Sequence, residues 1–233
     1  MADKDTEELL DTVEAFTYEG ARRTHDHESG EPETRDFVKG GDDARDASLA
    51  EKPLTEETMW TGKIFSVNRL HVELPDGRES VRDVVRHNGA VAVVALTDDG
   101  RICLVRQYRT AFDRVTVEIP AGKLDPGEDP LDAAHRELLE ETGFTAAKMA
   151  YLTTIASTVG FCDEVIHLYM ATGLTFGKSD PDDDEFINVD MVELPKFIDA
   201  VLDGQVEDAK TIVGALICDA VARRLTPDVV TEG

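Results

Sequence analysis

Residues Gly122 to Phe144 read GKLDPGEDPLDAAHRELLEETGF, and this stretch decides the fold. A glycine is followed after five residues by Glu128, and after seven more by the run Arg136-Glu137-Leu138-Leu139-Glu140-Glu141-Thr142-Gly143-Phe144. Asp129 is a good helix N-cap, Pro130 suits the first helical position where its missing N–H costs nothing, and Gly143 can take the left-handed conformation that ends a helix. The pattern therefore predicts a helix over Pro130 to Thr142. Leu131, Ala134 and Leu138 fall on one apolar stripe, while Glu137, Glu140 and Glu141 gather on another face. Like charges at these spacings cost an isolated helix about 0.2–0.5 kcal/mol per pair, so Glu137 opposes Glu140 and Glu141 unless a cation lies between them. Oxygen donors with neither thiolate nor imidazole among them select Mg2+, or Mn2+, over Zn2+.

A Glu-rich helix face in an acidic protein also fits a solvated surface. The upstream glycines argue for more. Gly122 and Gly127 flank a short loop that follows a strand-like run, Val115 to Ile119, and a loop of this kind lets backbone come close to a phosphate or a metal. The full pattern arises by chance in on the order of one such chain per million. It matches at every defining position the box of the Nudix hydrolases, G-x5-E-x7-R-E-U-x-E-E-x-G-U with U apolar, and the chain resembles that family. Four further segments, Val105-Arg106-Gln107-Tyr108-Arg109, Glu118-Ile119-Pro120-Ala121-Gly122, Gly160-Phe161-Cys162-Asp163-Glu164 and Asp208-Ala209-Lys210-Thr211, resemble the ADP-ribose pyrophosphatase branch. One position departs from that branch: Val159 stands where a proline commonly precedes the Gly-Phe pair.

The resemblance implies a Mg2+-dependent enzyme that splits ADP-ribose, or a related nucleoside diphosphate sugar, into AMP and a sugar phosphate. It implies Glu137, Glu140, Glu141 and the carbonyl of Ala121 as metal ligands, with Arg136 orienting a carboxylate. The general base would come from the acidic run Asp182 to Glu185, with Glu185 favoured and Asp183 assisting. Phe65, Arg82, Arg109, Glu118, Gly122, Gly160 and Glu164 are the implied substrate contacts. A homodimer is implied too, with N-terminal strands exchanged and Phe65 serving the neighbour's site. Alternatives are another nucleotide sugar, NADH or a dinucleoside polyphosphate as substrate, or a catalytically silent nucleotide sensor. Three intact glutamates speak against the sensor.

The rest of the chain frames this reading. At 233 residues with 41% apolar content there is room for one domain with a sizeable core, expected at 54–226, plus appendages. A net charge of −25 argues against nucleic-acid or anionic-membrane partners and requires local positive charge wherever phosphate binds. Cys103, Cys162 and Cys218 are too few and too scattered for a disulfide framework or a zinc site. No apolar run is long enough to span a membrane and no leader pattern opens the chain, so a soluble cytoplasmic protein is expected. Residues 1–52 hold 16 Asp/Glu against 7 Lys/Arg, which suggests an acidic flexible extension up to residue 53, relieved by a possible amphipathic helix at 5–17. Residues 227–233 form a short tail.

Hairpins are expected from Ile64–Leu74 with Val81–His87, and from Ala90–Leu96 with Ile102–Arg106. Strands at Lys148–Ala156, Val165–Ala171 and Phe186–Val192 follow the box, then helices at Leu194–Leu202 and Ala209–Arg224. The mixture indicates an α+β or α/β class, which agrees with the Nudix fold that the box implies: a mixed β-sheet between α-helices, with antiparallel strands at the N-terminus.

Overall fold

The computed structural model describes residues 39–177 and 186–225, with side chains given as far as residue 222. The expected helix at 5–17, the acidic loop with Asp183 and Glu185, and the tail from 227 lie outside the described residues. Ser48 onward forms one compact unit. It contains the strands β1 (Lys52–Thr61), β2 (Phe65–Glu73), β3 (Glu79–His87), β4 (Ala90–Ala95), β5 (Arg101–Arg109), β6 (Arg114–Glu118), β7 (Ala121–Lys123), β8 (Phe144–Ala156), β9 (Val165–Phe176) and β10 (Ile187–Glu193). Its helices are α1 (Pro130–Thr142), α2 (Leu194–Leu202) and α3 (Ala209–Leu225).

These strands make three sheets among the described residues: β1-β2-β3, β10-β5-β6 and β7-β4-β9-β8. In the last, β4 runs parallel to β9 and all other pairs are antiparallel. Strand β4 is the centre of the molecule. Its sequence AVAVVA has no polar side, as expected for a strand covered on both faces. Ala90, Ala92 and Val94 face a cluster with Ile119, Leu168, Ala215 and Cys218, which brings in α2 and α3. Val91, Val93 and Ala95 face the opposite cluster, with Ala133, Ala134 and Leu138 of α1. The period of two along a strand thus places the box helix on one side and α3 on the other. Gly214 lets α3 approach, since a Cβ there would meet Val94 at 2.8 Å.

Both ends of α1 are built as its residues require. Asp129 accepts from Leu131 N–H at 2.8 Å, and Gly143 has φ of 74° while donating to Leu139 O at 2.8 Å. The apolar stripe differs from expectation. Ala134 and Leu138 are buried, but Leu131 on the first turn is 40% exposed, and Ala133 and Glu141 lie on the covered side instead.

The hairpin at Pro75-Asp76-Gly77 forms as expected, with β2 and β3 in continuous register. The second expected hairpin does not. Thr97 to Arg101 does make the tight turn, and Leu96 bridges Ile102, but β4 and β5 then diverge into different sheets. The reason is lateral competition: β4 pairs with β7 and β9, and β5 with β6 and β10, so neither has an edge left for the other. Strands β1 and β7 have no counterpart in the sequence reading. β1 is exposed on both faces and β7 is three residues long, so neither has a hydrophobic period to detect. Among the described residues no helix is long and apolar enough to cross a membrane.

Candidate active site

Strand β7 carries Ala121 and Gly122 past the C-terminal half of α1. Glu137 lies against Gly122 so closely that a Cβ on the glycine would coincide with its carboxylate. Gly122 has no unusual φ, so close approach alone demands glycine here. Between β7 and α1, the loop folds on Gly127, whose φ is 81°, while Glu128 accepts from Asp125 N–H at 3.0 Å.

Arg136 is the organising cation of this region. It donates through Nε and Nη2 to the two carboxylate oxygens of Glu128, at 2.9 Å each. Its Nη1 bridges Glu137 at 2.7 Å and Glu140 at 2.9 Å, and Nη2 also reaches Lys123 O at 3.3 Å. The cation that relieves the repulsion between Glu137 and Glu140 is therefore a guanidinium from the same helix. The ion pair between Arg136 and Glu140, four residues apart on the helix, is one arm of this larger fork. The Arg136 guanidinium also holds the Glu128 carboxyl below its ordinary range.

Glu141 does not join that fork. It is 5% exposed and accepts from Ala121 N–H at 2.9 Å, which pins β7 to the helix. Glu137 and Glu140 line one cleft of about 510 Å3, with Lys63, Lys123 and Arg136. Glu141 lines the adjoining cleft of about 450 Å3, with Arg109, Glu164 and Lys210. Ile64, His87, Gly122 and Lys123 belong to both. Among the described residues no three acidic, His or Cys side chains stand together as a metal-holding group. The chemistry of the donors nonetheless fits a hard cation: carboxylates only, beside a peptide backbone that glycine lets them approach closely.

A second charged cluster lies deeper. Glu118 is 4% exposed and accepts from Arg109 Nε at 2.7 Å and Nη2 at 2.8 Å, from Lys210 Nζ at 2.5 Å and from Thr116 Oγ1 at 2.6 Å. Burial by itself would raise the Glu118 carboxyl, but the Arg109 fork, the Lys210 charge and Thr116 outweigh it and hold the group at about 2. The same pairing raises Arg109 further. Asp208 caps α3, accepting from Thr211 N–H at 3.0 Å and Thr211 Oγ1 at 2.5 Å, and it also takes Lys210 Nζ at 3.0 Å. The fully buried Thr211 then accepts Ile119 N–H at 2.8 Å. The run Asp208-Ala209-Lys210-Thr211 is thus a helix cap whose side chains fasten α3 to the strand leading into the box. Arg109 and Lys210 line the cleft as well, each already paired with Glu118.

The segment Gly160 to Glu164 is tied to β3. Val85 N–H donates to Phe161 O at 2.7 Å, Asp163 N–H to Val85 O at 3.1 Å, and His87 N–H to the Asp163 carboxylate at 2.9 Å. Glu164 reaches the cleft, whereas Gly160 is open to solvent and Val159 is 89% exposed. Phe65 opens β2, half-exposed, with its ring 5.4 Å from that of Trp60. Arg82 lies apart from both clefts, bonded to Glu51, Ser80 and the Val81 carbonyl. Of the expected residues, the structure brings Arg109, Ala121, Gly122, Glu141 and Glu164 to one cleft and Arg136, Glu137 and Glu140 to the next. Glu118 is placed behind Arg109. Lys210, Asp208, Lys123 and His87 also line these clefts and were not singled out as site residues. The signal for the first two was available in the Asp208–Thr211 run, but nothing in sequence spacing pointed to His87. Cys103 and Cys218 are buried thiols, both pushed up to about 12 by burial, and Cys162 is free and half-buried.

Comparison with known proteins agrees with this geometry. The family model described as NUDIX domain matches residues 86–213. An ADP-ribose pyrophosphatase of Bacillus subtilis is 45% identical over 166 residues, 70% of this chain and 90% of that protein. A methanol dehydrogenase activator of Bacillus methanolicus is 41% identical over 165 residues, 70% of this chain and 89% of that protein. A solved structure of an ADP compounds hydrolase superposes with a TM-score of 0.69 at 23% identity, covering 76% of this chain and 97% of its own, which supports the fold. The matched segment runs from the end of β3 into α3 and takes in the whole box, and the chain belongs to the Nudix family of hydrolases.

Proposed function

We propose that this protein hydrolyses the diphosphate bond of ADP-ribose or a related nucleoside diphosphate sugar, releasing AMP and ribose 5-phosphate. The observation that carries the reading is the pair of adjoining clefts joined at Gly122, with box glutamates and cationic side chains on their walls. A diphosphate resists hydrolysis because its anionic oxygens repel a nucleophile, so charge must be offset and water oriented. Glu137, Glu140, Glu141 and the Ala121 carbonyl would hold a divalent cation, with Mg2+ proposed and Mn2+ admissible. When bound, that ion supplies charge neutralisation and an activated water. Arg109 and Lys210 present positive charge to the substrate, and Gly122 opens the backbone to it. Arg136 holds Glu137 and Glu140 in one orientation. Glu185, assisted by Asp183, is proposed as the general base.

A homodimer in the cytoplasm is the proposed form. Edge strand β1 is exposed along its length, and Met59, Trp60, Phe65 and Val81 of the first sheet are exposed large apolar side chains. Such an edge is a natural site for a second copy, and Phe65 and Arg82 would then act in the neighbour's site. The relative named for activating methanol dehydrogenase favours a second reading, in which the same hydrolysis serves a partner enzyme.

The test is AMP release from ADP-ribose, ADP-glucose, NADH and diadenosine polyphosphates with Mg2+, for wild type and Glu141→Gln. We expect ADP-ribose to be cleaved, and the substitution to lower the rate by about 10²–10³-fold, as loss of a single preorganised charged group does elsewhere. Cleavage of another compound alone would move the substrate, and tight binding without turnover would favour the sensor.

A further inference from the structure

His87 ends β3 where the two clefts meet, and it lines both of them beside Gly122 and Lys123. Its side chain is 8% exposed. The Gly89 N–H donates to its Nδ1 at 3.0 Å. Glu164 Oε1 approaches the same nitrogen only to 3.5 Å, beyond the distance of a good hydrogen bond. A neutral imidazole carries one N–H and one lone pair, and the nitrogen that accepts from Gly89 must be the lone-pair one. The proton is therefore on Nε2.

That second nitrogen has no hydrogen-bond partner among the described residues, where the ring's polar contacts, with Gly89 and Glu164, are both at Nδ1. Nor is it sealed away, because among the described residues no fully buried side-chain nitrogen or oxygen lacks a partner. A nearly buried ring thus keeps one donor open, and the space it adjoins is the junction of two clefts lined by Lys63, Lys123, Arg109 and Lys210.

We propose that His87 is a substrate-binding residue whose Nε2–H donates to a phosphoryl oxygen of the bound diphosphate beside Gly122. Gly89 acts as the positioning group that selects the tautomer. The proposal rests on the diphosphate hydrolysis put forward above. Among the cations that line the clefts, His87 is a neutral donor of fixed direction, so it adds orientation where lysines add charge.

Two substitutions separate this from a structural role. His87→Asn keeps an acceptor near Gly89 N–H but removes the donor from the clefts, whereas His87→Gln can extend an amide N–H toward the Nε2 position. His87→Asn should raise KM for ADP-ribose about tenfold, the loss of one hydrogen bond to a charged group, with an unchanged melting temperature and a smaller effect on kcat. His87→Gln should recover most of that loss. In the wild type, 15N spectra of the imidazole should show the Nε2–H tautomer, with that signal shifting when ADP-ribose or inorganic pyrophosphate is added without metal. An Nδ1–H tautomer, an unshifted signal with both probes, or an unaltered KM in His87→Asn would overturn the proposal. A shift with pyrophosphate in a protein that neither binds nor cleaves ADP-ribose would support the donor and overturn the functional reading instead.

Discussion

The protein holds two clusters of carboxylates and cations, one around Arg136 and one around Glu118, and they are built in opposite ways. The fork of Arg136 with Glu128, Glu137 and Glu140 is local, with every carboxylate within eight residues of the arginine. Its carboxylates keep more access to water, with side chains 16% exposed at Glu128, 12% at Glu137 and 36% at Glu140 against 5% at Glu118. The cluster around Glu118 draws on Arg109 nine residues away and Lys210 ninety-two away, and it is closed to solvent at the carboxylate. The difference teaches where each kind of charge matters. A local fork that keeps contact with water can exchange partners for a ligand more readily than a sealed one, since solvent screens the ion pairs that it gives up. A buried, fully bonded carboxylate cannot change partners without leaving a charge unpaired, so it serves as a fastening.

The sharpest way to break this contrast is at Lys210. Lys210→Met removes one of the two cations from Glu118 and should destabilise the fold by about 3 kcal/mol, seen as a lower midpoint in urea. A loss no larger than that of an exposed ion pair would place the two clusters in the same class. The companion measurement is stability against pH. Glu118 ionises at about 2 when folded, against an ordinary value of 4.5. Its contribution is therefore complete above the unfolded value and is lost as pH falls from 4.5 toward 2. Glu118→Gln should flatten the acid limb of the stability curve over that interval, and an unaltered limb would contradict the assignment.

On the local side the expected loss is one of activity. Gly122→Ala should lower the hydrolytic rate by about 10²-fold, because the Glu137 carboxylate must move aside for the new methyl group. Since a flexible side-chain end gives way, the melting temperature should fall far less than in Lys210→Met. Equal losses of stability in the two variants would erase the distinction. The smallest effect is at the helix start, where Asp129→Ala removes the cap on Leu131 N–H and should cost about 1 kcal/mol in thermal or chemical unfolding.

The same division explains how much could be read in advance. Helix α1 was legible to the residue, as were the limits of α2, because capping residues and prolines act on their immediate neighbours. The box glutamates were legible as a group, but not their separation into a fork on one cleft and Glu141 on the next. The stripe containing Leu131 misled for a related reason: helical spacing tells which residues share a face, not how far along the helix the partner sheet extends. The Ala90–Arg106 hairpin misled because a turn constrains only its closing residues, while pairing beyond it is decided by competing strands.

By itself the sequence determined the family, the box helix with both caps, the strand character of β4, and the residue types able to hold a hard cation. These follow from interactions between residues a few positions apart, whose geometry is nearly independent of the rest of the chain. Only the tertiary structure decided that Arg136 bridges Glu137 and Glu140, that Lys210 and Thr211 bind α3 to Glu118 and Ile119, and that Gly89 N–H reaches His87 Nδ1. Each of these joins groups through burial and hydrogen bonding across long separations, or sets a tautomer through a single backbone N–H, and no period in the sequence records such contacts.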